Sequence, residues 1–180
     1  QNRSQVSIQE TARQGCTNGR VQMKAILASI GALLLAAGLT GHAQAQLVLD
    51  LDPAAGDQGK RQEKVAPGQL LTVEIVATSQ AKNIMGFEAE LKFDPKKLEY
   101  QGYQPGGIMM GAMAMPPARH ASCVRLSAGF LGRTVSEDNG SCGMLTFKVN
   151  PNLGAGARIE LIGGSFGDAS GTHKLPGGTV

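Results

Sequence analysis

The stretch GFEAELKFDPKKLEY, residues 86–100, constrains this chain more than any other. Phe87, Ala89, Leu91 and Phe93 alternate with Glu88, Glu90 and Lys92. A side-chain period of two belongs to a β-strand with one face in a core and the other in water. Asp94-Pro95 ends the strand, because proline brings no N–H to a ladder and restricts the residue before it. LEYQGY at 98–103 starts the next one.

The same period runs through the rest of the chain after residue 46. LVLDLD (47–52) turns Leu47, Leu49 and Leu51 inward and Asp50 and Asp52 outward. VAPGQLLTVEIVATS sets Leu71, Val73, Ile75 and Ala77 against Thr72, Glu74, Val76 and Thr78. CVRLSAGF (123–130), CGMLTFKVN (142–150), ARIELIGGSFGD (157–168) and a short strand around KLPGGTV complete the set. Roughly eight or nine short strands, frequent turn signals such as Asn139-Gly140 and no helical period predict an all-β sandwich of two layers. Each outer face is expected to be wet.

Residues before 46 have a different character. Met23-Lys24 precedes the uncharged run Ala25–Leu39, and Ala43 and Ala45 follow with A-x-A spacing. These are the three parts of a secretory signal peptide, and the run is shorter than the ~20 residues of a membrane span. The sequence therefore reads as an upstream extension (1–22), expected to be untranslated or disordered, a signal peptide (23–45) and one domain (46–180). No stable membrane span is expected after cleavage, and the domain is expected to be secreted or periplasmic.

A domain of 135 residues, 46–180, is long enough to bury about two thirds of its unfolded surface. The formal charge of +3 comes from the leader, whose Arg3, Arg13, Arg20 and Lys24 face a single acid, Glu10. The remainder is balanced and has no basic stripe, which argues against nucleic acid. Cys123 and Cys142 remain after the leader, and in an oxidising compartment such a pair suggests a disulfide. The alternative is two small buried residues, each opening a strand.

Five segments together resemble the cohesin domains of bacterial extracellular assemblies. They are VAPGQLLTVEIVA, GFEAELKFDPKKLEY with Phe93–Pro95 and Leu98–Tyr100, NGSCGMLTFKV, GGSFGD and PGGTV. The resemblance implies a nine-stranded jelly-roll sandwich, close to the cellulose-binding modules. It also implies docking of a dockerin-type partner on the sheet formed by the family's eighth, third, sixth and fifth strands. GFEAELKF would be the third strand and CVRLSAGF the sixth, which places Glu88, Glu90, Lys92, Arg125 and Ser127 on the binding face. Polysaccharide would then be met indirectly, through a partner. A flat face with both signs of charge suits selection by complementary charge, while the bland alternative is an ordinary solvated strand face.

Two other chemistries compete with this reading. In IMMGAMAMPPARH, Met109, Met110, Met113 and Met115 with His120 are soft ligands of the type that holds Cu(I). Methionine also fills gaps and makes adaptable contacts. Direct carbohydrate binding needs exposed planar rings; the chain has no Trp, and only Tyr100 and Tyr103 are candidates. Asp138 and Asp168 are loop carboxylates of the kind that hold Ca²⁺, without an EF-hand pattern. His120 and His173 lie in separate loops with no nucleophile at a recognisable elbow. The chain is expected not to be an enzyme and to need no cofactor.

Overall fold

The computed structural model describes residues 4–10, 46–52, 54–78, 83–137, 140–151, 153–154, 156–168 and 171–174. Twelve strands are present among them: β1 (Ser4–Glu10), β2 (Gln46–Asp50), β3 (Gln62–Val65), β4 (Leu70–Thr78), β5 (Gly86–Phe93), β6 (Leu98–Pro105), β7 (Met113–Ala114), β8 (Ala118–His120), β9 (Cys123–Gly129), β10 (Gly140–Val149), β11 (Gly156–Asp168) and β12 (Gly171–Lys174). A 3₁₀ turn spans Gly107–Met109. The larger sheet runs β3-β1-β11-β5-β9-β7, with β12 also beside β11 and β8 beside β9; the smaller runs β2-β4-β10-β6. This is the expected all-β sandwich. Among the described residues no helix is long and apolar enough to cross a membrane.

Alternation decides which side chains meet between the sheets. β5 contributes Phe87, Ala89, Leu91 and Phe93, β9 contributes Val124, Leu126 and Ala128, and β11 contributes Ile159 and Leu161. Leu71, Val73, Ile75 and Ala77 of β4 and Leu145, Phe147 and Val149 of β10 face them. Phe147 bridges the layers. Its ring meets Phe93 edge-on at 5.2 Å and Tyr100 at 5.8 Å, the tilted geometry that aromatic quadrupoles favour.

Ser4–Glu10, within the stretch 1–22, form β1, which runs parallel to β11 and antiparallel to β3. Its Val6 and Ile8 are buried in the core. The rest of that extension and the proposed signal peptide, 11–45, lie outside the described residues, as do the closing residues 175–180. Cys123 and Cys142 do not bridge each other: Cys123 is disulfide-bonded, whereas Cys142 is a buried free thiol. The two stand on different sheets, β9 and β10. Burial pushes the Cys142 thiol well above its ordinary pKa.

The outer face of the smaller sheet is also not uniformly wet. Asp50 and Glu74 sit opposite each other on β2 and β4, and both are buried. The chain after β2 folds over them because Asp50 collects its N–H groups. Its carboxylate accepts from the backbone of Asp52 (2.6 Å), Gln58 (2.7 Å), Gly59 (2.8 Å) and Lys60 (3.3 Å), and faces the Arg61 guanidinium at 3.4 Å. Arg61 also grips Asp57 at 2.8 and 3.0 Å, holding that carboxyl below its ordinary pKa. A buried carboxylate is tolerated when its lone pairs are filled in this way.

Glu74 is less well served. Its Oε2 accepts from the Gly56 N–H at 3.1 Å, while Oε1 and the nearby buried Ser141 Oγ lack a well-formed hydrogen bond. Burial pushes its pKa up, the Ser141 hydroxyl and the Gly56 N–H oppose the rise, and the charges of Asp50 and Asp57 add to it. A carboxyl whose folded pKa is raised binds its proton more tightly in the native state. Its stabilisation is therefore present at low pH and lost as pH rises through the unfolded value near 4.5 toward the folded one.

Asp50→Asn should destabilise the domain by about 2–4 kcal/mol, since it turns an acceptor into a donor amid N–H groups; urea melts read this directly. Glu74→Gln should raise the melting temperature at about pH 8, with the gain shrinking toward about pH 4. A gain independent of pH would show that ionisation of Glu74 is not the cause.

Candidate functional site

The outer face of the larger sheet gathers the sequence-nominated residues. In β5, Glu88, Glu90 and Lys92 point away from the core because their neighbours point into it. β9 lies antiparallel beside β5, with Glu88 opposite Ser127, Glu90 opposite Arg125 and Lys92 opposite Cys123. All five residues nominated as partner-binding therefore share one surface. Arg125 joins them electrostatically, with Nη2 3.4 Å from Glu90 Oε2 and Nε 3.7 Å from Glu88 Oε1. Glu90 is the more enclosed acid: its side chain keeps 12% of its exposure, against 50% for Glu88.

On the other flank, β11 supplies residues that the sequence reading did not nominate. Glu160 stands opposite Lys92, Gly163 opposite Glu90 and Ser165 opposite Glu88. Arg158 lies two residues before Glu160 and is 3.7 Å from it. The period of two in ARIEL already signals that Arg158 and Glu160 share a face. A register shift between Leu161 and Gly163 keeps Gly163 and Ser165 on it too, as expected of a bulge. Rows of mixed charge thus cross three strands, with low relief where Gly163 faces Glu90.

An apolar surface adjoins this face at the far edge. Met113 and Ala114 of β7 pair with Gly129 and Ala128, and the Met115 N–H donates to the Ser127 carbonyl at 2.9 Å. Met110, Met113, Met115 and Leu131 are exposed, at 72, 60, 57 and 85%. A surface depression of about 660 Å³ lies between Met110, Met113, Phe130, Leu131 and Arg133. Met109 does not belong with the others: the 3₁₀ turn drives it wholly into the core. The four methionines named for Cu(I) are thereby divided, and His120 stands apart on β8 opposite Cys123.

The sugar-platform candidates point the wrong way. Tyr100 is buried against Phe147, with the Arg119 guanidinium 4.7 Å above its ring. Tyr103 Oη donates to the Cys142 carbonyl at 2.9 Å and its ring approaches Phe87. Burial raises the pKa of both phenols, Tyr103 the more strongly. All five Phe are buried as well, so no fully exposed aromatic ring occurs among the described residues. Of the calcium candidates, Asp168 ends β11 and Asp138 lies outside the described residues. Among the described residues no group of three or more His, Cys, Asp or Glu is placed to hold a metal ion.

A family model for the cohesin domain matches residues 60–178, well over half of the chain. The chain belongs to the cohesin domain family. Its fold agrees with solved cohesins. The sixth cohesin of an Acetivibrio cellulolyticus scaffoldin, solved with a Cel5 dockerin, is 20% identical with a TM-score of 0.54, covering 73% of this chain and 90% of that one. A type II cohesin–X–dockerin complex from the same organism gives 12%, 0.53, 73% and 91%. The cohesin module of a Clostridium perfringens family 33 glycoside hydrolase gives 10%, 0.55, 73% and 89%. No curated protein matches the chain. Cohesin modules are non-catalytic, and this cohesin is not an enzyme.

Arg125→Ala should change stability by no more than about 1 kcal/mol, because Arg125 and Glu88 are both about half exposed and only Glu90 is enclosed. A larger loss in a denaturant titration would assign the charged face a structural role instead.

Proposed function

We propose that this cohesin is an extracytoplasmic docking module, and that a dockerin-type module of another protein binds the outer face of its larger sheet. The observation that carries the reading is the convergence of Glu88, Glu90, Lys92, Arg125 and Ser127 on one open face of a family member. Similar cohesins have been solved in complex with dockerins. Charge of both signs on a flat face steers encounter and rejects wrongly charged partners more than it adds raw affinity. The Met110–Met115 surface beside it supplies apolar area of the adaptable kind that thioethers provide. The leader pattern at 23–45 supports export. The scaffoldin and glycoside hydrolase that carry similar modules favour a place in an extracellular polysaccharide-degrading assembly.

The test is isothermal titration of the purified chain against a panel of dockerin modules, including those of the similar complexes. Glu88→Lys combined with Glu90→Lys should weaken the best binder by about tenfold or more. Its melting temperature should stay close to that of the unaltered chain. Equal affinity in the double variant would move the interface off this face, and no binding by any dockerin would remove the assignment.

A further inference from the structure

The chain has three cysteines, Cys16, Cys123 and Cys142. Cys142 is a free thiol, 0% exposed on β10 of the smaller sheet. Cys123, at the start of β9 in the larger sheet, is disulfide-bonded. Within one chain that leaves Cys16, which lies outside the described residues, as its partner.

The surroundings of Cys123 agree. Val124, Leu126 and Ala128 of β9 enter the core, so alternation turns Cys123 outward with Arg125 and Ser127. Lys92, directly opposite it on β5, is exposed. Cys123 nevertheless keeps only 4% of its exposure and is not part of the core cluster. Burial of an outward-facing residue needs a cover, and a bonded second cysteine supplies one.

Backbone register also brings the two cysteines within reach. Glu10 ends β1 opposite Leu161, Leu161 stands opposite Leu91, and Leu91 opposite Val124. The end of β1 and the start of β9 thus share one row, separated by three strand spacings, or roughly 14 Å. Cys16 follows Glu10 by six residues, which span up to about 20 Å. A disulfide itself joins Cα atoms about 5.5–6 Å apart.

We propose that Cys16 and Cys123 form a disulfide that keeps the residues before the A-x-A motif at Ala43 and Ala45 attached to the domain when the chain is cut there. Forming it takes one electron and one proton from each thiol and passes them to a disulfide oxidant, which leaves as a dithiol. A dithiol reductant reverses the exchange. Val6 and Ile8 already seat β1 in the core, so the bond is a second fastening of the same stretch. It is the one that thiols open, since the buried Cys142 has no thiolate to offer. The inference concerns which parts of the chain stay covalently joined and is independent of the docking reading.

Peptide mapping of the unreduced chain tests it. The protein is unfolded in N-ethylmaleimide and digested with trypsin. The expected result is that 14–20 (QGCTNGR) and 120–125 (HASCVR) form one joined species that separates on addition of dithiothreitol, with maleimide on Cys142 alone. A lysine-specific protease, cutting after Lys24, should leave 1–24 joined to the fragment that carries Cys123 until reductant is added. Cys16→Ser should let 1–24 separate without reductant and leave Cys123 open to maleimide. Maleimide on both Cys16 and Cys123 of the unaltered chain would overturn the proposal. So would 120–125 joined to its own copy or to 134–148, the tryptic peptide of Cys142.

Discussion

Everything in this molecule depends on burying one face of each sheet against the other. Phe147, wedged between Phe93 of the larger sheet and Tyr100 of its own, marks the centre of that contact. At about 25 cal/mol per Å² of apolar surface removed from water, such side chains contribute the dominant favourable term in folding. The consequence runs through every strand. Once Phe87, Ala89, Leu91 and Phe93 are committed inward, Glu88, Glu90 and Lys92 have no other place than the outer surface.

The two outer faces then part company. That of the smaller sheet is partly roofed by the chain after β2, because Asp50 binds four backbone N–H groups and draws Arg61 over itself. On the larger sheet Glu88 and Lys92 remain open, flanked by Arg125, Ser127 and Glu160. The non-catalytic framework and the open charged face suit a protein that works by being bound.

Much of this was legible before any coordinates. The alternation in GFEAELKF named both the core and the face, and the five cohesin-like segments named the family. Other parts were not legible. Met109 and Met110 are adjacent in sequence, yet a 3₁₀ turn buries the first and exposes the second. Tyr100 and Tyr103 read equally well as surface rings, and only the packing of β6 against β10 turns them inward. Arg158 and Glu160 carry the right period, yet nothing in the sequence says which strand lies beside β5.

The sequence by itself determined the sandwich, its inward residues and the strip of charge on β5, since period-two burial is a local property that each strand carries alone. Tertiary structure decided which strips lie side by side and that Ser4–Glu10 belongs to the sheet. It also decided that Asp50 is a buried anchor rather than a wet carboxylate and that Cys123 and Cys142 do not meet. The physical reason is the same in each case. Strand neighbours, hydrogen-bond partners and sulfur separation join residues far apart in the chain, and neither residue type nor spacing encodes the pairing.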